Sequence, residues 1–125
     1  MASILIVEDE ADSREALAIF LRHKGHQVDS VSNGMEAIAA LASHAPDAIV
    51  LDMFMPGVDG TSVLKAARSY LHLRSLPVVV MTAFPEGRLA ATARDMGVCA
   101  ILTKGAASLD DIHRAIEESL PRPPA

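Results

Sequence analysis

At 125 residues the chain has the length of one ordinary domain, and with half its residues hydrophobic and 22% charged it can build one packed core. Aromatics make up only 3% and Trp is absent, so that core must come from Val, Ile, Leu, Ala and Met. A formal charge of −5 argues against unaided binding to a nucleic-acid backbone, which needs clustered Lys and Arg.

The first apolar run, residues 4–7, meets Glu8-Asp9-Glu10 at once, which does not fit a signal peptide. Residues 11–24 follow with helical spacing, placing Ala16, Leu17, Phe20 and Leu21 on one face before a left-handed stop at Gly25. A weaker strand covers 27–31. Asn33 then caps a second helix, with Glu36 three residues on and Met35, Ile38, Leu41 and Ala42 as its stripe. Residues 48–51, 78–81 and 98–102 read as further strands, the first two preceded by Pro46 and Pro77. The last helix starts at Ser108, with Asp111 at its third position and Leu109, Ile112, Ile116 and Leu120 spaced for burial.

Continuous apolar strands alternating with helices, without hairpin signals, predict a doubly wound parallel α/β sheet. Pro-rich residues 121–125 cannot extend the last helix and read as a tail or linker stub. One cysteine, Cys99, excludes an internal disulfide, and no apolar run reaches the ~20 residues that span a bilayer. The expectation is a soluble, cytoplasmic protein.

In an open parallel sheet, ligands bind beyond the carboxyl ends of the strands. Glu8, Asp9 and Glu10 end the first strand, Asp52 the third and Thr82 the fourth, and Lys104 follows the fifth. An acidic run alone is an ordinary solvated turn that favours the next helix. The set carries more, since neighbouring first and third strands would bring these carboxylates together. Such a group needs a cation, and Mg²⁺ is the hard, oxygen-seeking candidate. A hydroxyl and an ammonium at the same edge are what phosphoryl handling requires.

These residues resemble the receiver domain of bacterial two-component response regulators. Ile4–Glu10 in sequence, then Leu51-Asp52-Met53-Phe54-Met55-Pro56-Gly57 with Asp59-Gly60, Val80-Met81-Thr82-Ala83 and Leu102-Thr103-Lys104 carry the likeness over residues 2–120. It implies a five-stranded parallel sheet of order 2-1-3-4-5 with helices on both faces. It further implies that Asp52 is the phosphoacceptor, taking its phosphoryl group from the phosphohistidine of a sensor histidine kinase or histidine phosphotransfer protein. Asp9, Asp52 and the backbone carbonyl of Phe54 would hold Mg²⁺, with Glu8 acting through water. Thr82 and Lys104 would bind phosphoryl oxygens. Phosphorylation would then alter the face of the fourth helix, fifth strand and fifth helix, which a downstream protein reads. The domain would catalyse its own phosphorylation and slow dephosphorylation rather than act as a true enzyme, with no direct contact to nucleic acid or membrane.

Three features depart from the family pattern. Ile101 stands where an aromatic switch residue is usual, and Gly105 replaces a cis proline, predicting a trans Lys104–Gly105 bond and a reshaped loop. Phe54 and Phe84 flank the expected path of the hydrolytic water and offer it no hydrogen bond, unless the rings pack into the neighbouring surface. Ile101 and Gly105 frame an alternative, a phosphorylation-independent binding module, which the intact Asp9, Asp52, Thr82 and Lys104 oppose. An aspartyl phosphatase would want a second Asp where Phe54 stands. Flavin binding lacks both a phosphate loop and aromatics to sandwich the ring. His23, His26, His44, His72 and His113 show no ligand spacing and read as surface residues, and Cys99 as a small core residue. Arg68, Arg74, Arg88 and Arg94 suggest either a solvated basic face or an acidic partner.

Overall fold

The computed structural model describes residues 2–121; of the Pro-rich tail, only Pro121 falls among them. Strands and helices alternate as β1 Ser3–Val7, α1 Ala11–His23, β2 Gln27–Val31, α2 Gly34–Ser43 and β3 Ala48–Asp52. They continue as α3 Gly60–Ser69, a 3-10 turn Leu71–Leu73, β4 Val78–Thr82, α4 Arg88–Asp95, β5 Ala100–Thr103 and α5 Leu109–Ser119. The strands form one parallel sheet in the order β2-β1-β3-β4-β5, as expected.

The central strands β1, β3 and β4 are almost wholly apolar because alternate residues feed two separate cores, whereas the edge strand β2 exposes Gln27, Asp29 and Ser30. Leu5, Val7, Ile49, Leu51, Val78 and Val80 pack with Leu41, Val63, Leu64 and Ala93 under α2, α3 and α4. Ile4, Ile6, Val50, Val79 and Met81 face the other way and meet Leu17, Leu21, Ile112 and Ile116 of α1 and α5. A one-residue slip in any central strand would exchange its two sets of partners, so the register is strongly held.

Helix ends follow the sequence signals. Asn33 and Ser108 accept the amides of Glu36 and Asp111, and Gly25 adopts φ +94 after α1. Other expectations are corrected. Met35 is 71% exposed, because α2 begins at Gly34 and its phase turns Gly34, Ala37 and Leu41 inward. In α1, Ala18 is buried and Ala16 exposed. The last strand is Ala100–Thr103 rather than 98–102, and Cys99 is exposed, not core. It lies on the approach to a sheet edge, two residues after Gly97 turns the chain at φ +77.

Candidate functional site

The residues expected to act together all lie at the carboxyl edge of the sheet. Val7 of β1 pairs with Leu51 of β3, so the residues just beyond emerge side by side. One carboxylate oxygen from each of Glu8, Asp9 and Asp52 lies within 4.8 Å of the others. Asp52 is buried, Glu8 half-buried and Asp9 exposed. Glu10 is not part of the group: its carboxylate caps α1 by accepting the amides of Asp12 and Ser13.

Lys104, carried to this edge by β5, closes the cluster. Its Nζ is 2.8 Å from Asp52 Oδ2, and 3.1 and 3.2 Å from the two oxygens of Glu8. Burial alone would lower the ammonium's pKa, but the hydrogen bonds to Asp52 and Glu8 outweigh it and the net shift is upward. Lys104 is therefore charged at neutral pH. Glu8 is pushed up to about 7, first by burial and then by its hydrogen bond with Asp52 and that group's negative charge. The Glu10 amide and Lys104 pull it only partly back. Crowded carboxylates short of positive charge behave in this way, and a donor set made only of oxygens suits a hard divalent cation.

The surrounding backbone orients the remaining groups. Phe54 N–H donates to Asp52 Oδ1 at 3.1 Å, setting the Phe54 backbone beside the carboxylate. Thr82 is buried and its hydroxyl accepts the Phe84 amide at 3.1 Å, leaving the hydroxyl proton to be donated elsewhere. Phe54 and Phe84 themselves are 67% and 64% exposed, edge to face at 6.5 Å between centroids. They pack on each other and not into the neighbouring surface. The Lys104 amide donates to Thr82 O at 2.8 Å, and the bond to Gly105 is trans, as expected. Gly105 has φ +87, a conformation that disfavours any side chain there. Ile101 is half-buried against the core under α2, α3 and α4.

A family model described as the response regulator receiver domain matches residues 4–117. This chain belongs to that family. Among curated relatives of the receiver domain, the transcriptional regulatory protein PdtaR of Mycobacterium tuberculosis is 39% identical over 120 residues, 95% of this chain and 57% of that protein. The chain thus spans a little over half the length of that relative. Sporulation initiation phosphotransferase F of Bacillus subtilis is 30% identical over 118 residues, 94% of this chain and 93% of its own. The solved receiver domain of sensor histidine kinase PA1611 from Pseudomonas aeruginosa PAO1 has a magnesium ion coordinated in its active-site cleft. It matches with a TM-score of 0.84 at 25% identity, covering 94% of this chain and 95% of that one. Fold and family thus place the chain among two-component signalling domains.

Two features escape sequence reasoning. Arg68 is no solvated charge: it donates to the carbonyls of Leu73, Leu76, Met96 and Gly97, and Arg94 donates to Pro85 O. His26 is not a surface residue either but 8% exposed, with Nε2 facing His113 and Glu117. The spacing of His113 and Glu117, one helical turn apart, was a readable signal. The separation of 87 residues between the two histidines hid the third member.

Proposed function

We propose that this receiver domain, residues 2–120, accepts a phosphoryl group on Asp52 from the phosphohistidine of a sensor kinase or histidine phosphotransfer protein. One observation carries the reading: a buried Asp52 held 2.8 Å from the Lys104 ammonium, among carboxylates that fit a divalent cation. Mg²⁺ is the ion of choice, with Asp9, Asp52 and the Phe54 carbonyl as ligands and Glu8 acting through water. When bound, it offsets the charge that grows on the transferred oxygens. An Asp52 carboxylate oxygen attacks phosphorus, the phosphorus–nitrogen bond breaks, and its electron pair returns to the imidazole of the donor. Lys104 then exchanges its Glu8 contact for a phosphoryl oxygen, and the Thr82 hydroxyl donates to another. These shifts would alter the surface of α4, β5 and α5, where a downstream protein binds. Half-buried Ile101 in place of an aromatic makes that readout a departure from the family's usual one. The exposed free thiol of Cys99 fits a reducing compartment, the cytoplasm. Residues 121–125 would form a tail or linker.

Incubation with Mg²⁺ and acetyl phosphate, followed by intact mass, tests the reading. The expected result is a single phosphoryl adduct that Asp52→Asn abolishes. An unmodified wild-type chain would overturn it.

A further inference from the structure

At the amino edge of the sheet, away from the acidic cluster, three side chains from two distant segments aim at one point. His26 sits between α1 and β2, while His113 and Glu117 lie one turn apart on α5. His26 Nε2 is 3.3 Å from His113 Nε2 and 3.0 Å from Glu117 Oε1, and His113 Nε2 is 3.1 Å from the same oxygen. A tetrahedral ion with ligand bonds of about 2.0–2.1 Å holds its ligand atoms about 3.3–3.4 Å apart. The three atoms already form one slightly tight face of such a tetrahedron. We propose that His26, His113 and Glu117 bind a borderline divalent transition-metal ion, with Zn²⁺ as its representative, in a three-ligand site open to water.

Ligand chemistry selects the ion. Two imidazoles and one carboxylate suit Zn²⁺ and its neighbours in the transition series, whereas Mg²⁺ and Ca²⁺ prefer oxygen alone. The rings are held in place: His26 tilts against His113 at 5.4 Å between centroids, and the Phe20 ring packs edge-on to His113 at 6.3 Å. A cleft of about 750 Å³, lined in part by Ala2, His26, Glu117 and Leu120, opens beside the triad and gives a fourth, aqueous ligand its place.

Binding would leave a specific signature. His26 Nδ1 accepts the Ala2 amide at 3.1 Å, so the neutral ring carries its proton on Nε2. Ligation through Nε2 moves that proton to Nδ1 and turns the Ala2 amide away. The Ala2 amide belongs to the peptide unit before the one whose carbonyl accepts the Gln27 amide at 2.9 Å, so it can turn while that pairing to β2 stays.

The test is a calorimetric titration of the whole chain with Zn²⁺, with excess Mg²⁺ present to occupy the acidic edge. One Zn²⁺ per chain should bind with micromolar or tighter affinity. His113→Ala and Glu117→Gln, both at partly exposed positions, should each weaken it by on the order of tenfold or more while leaving the circular dichroism unchanged. Co²⁺ should give the intense visible bands of a tetrahedral site, and nitrogen NMR should show the His26 proton moving from Nε2 to Nδ1. Binding no tighter than millimolar, or affinity indifferent to both substitutions, would overturn the proposal. Neither result bears on Asp52, whose phosphorylation is read separately by mass.

Discussion

Glu8 titrates at about 7, so a divalent ion binding beside it would have to displace its proton below that pH. With its carboxyl pushed up to about 7, a metal-free chain below neutrality carries Glu8 largely protonated and a poor partner for a cation. Mg²⁺ affinity should therefore rise as pH increases from 6 to 8, and Glu8→Gln should flatten that dependence; calorimetry across the range checks both. The aromatic pair at the mouth of the site invites a second experiment. Two exposed rings cannot orient a water, so the aspartyl phosphate should decay slowly, and Phe54→Asn should speed the decay several-fold, followed by mass after removal of the phosphodonor. Asp52, Thr82 and Lys104 were legible because each ends or follows a strand, and a shared sheet edge converts sequence position into proximity. The bond of Lys104 to Glu8 was not, since it depends on where a flexible side chain rests before any phosphoryl group arrives.

Elements meet this edge through two tight contacts. A Cβ added to Gly60 would stand 2.6 Å from both Cα and Sδ of Met53, and one on Gly34 would run into Val58. The loop after Asp52 is thus pressed between the starts of α2 and α3. Gly60→Ala should destabilise the fold by roughly 1–3 kcal/mol and slow phosphorylation as Met53 shifts beside Asp52, measurable by denaturant unfolding and adduct formation. Arg68 works at the other end of α3, binding carbonyls of the segments that lead into β4 and β5. Arg68→Ala takes this donor from the carbonyls of Leu76 and Met96, while Leu73 O keeps the Leu76 amide, and should cost roughly 1–3 kcal/mol in the same unfolding assay. Caps at Asn33 and Ser108 were readable because a short polar side chain before an apolar stripe has few other uses. The stripe of α2 was misjudged because a helix's inward face depends on its starting residue, and Gly34 buries without being hydrophobic.

For the molecule as a whole, the acidic edge sets up a conflict between binding and stability. Glu8 titrates at about 7 when folded against an ordinary value of 4.5. Its favourable contribution to folding is complete below 4.5 and fades as pH climbs through 7. In chelator, thermal unfolding should therefore occur at a lower temperature at pH 8 than at pH 5, and excess Mg²⁺ should shrink the difference by binding the folded form alone. The parallel α/β class was recoverable from the rhythm of the chain and the strand order from its family likeness alone, whereas the amino-edge triad was not, because nothing local joins residue 26 to residue 113. The Lys104 ammonium, finally, ties together the ends of three strands: β1 through Glu8, β3 through Asp52, and β5 through its own stem. A single positive charge cannot serve every anion once a larger one arrives at the middle strand. Modification there would slacken the outer tether, so the earliest mechanical sign of signalling should be a freer separation of β1 from β5.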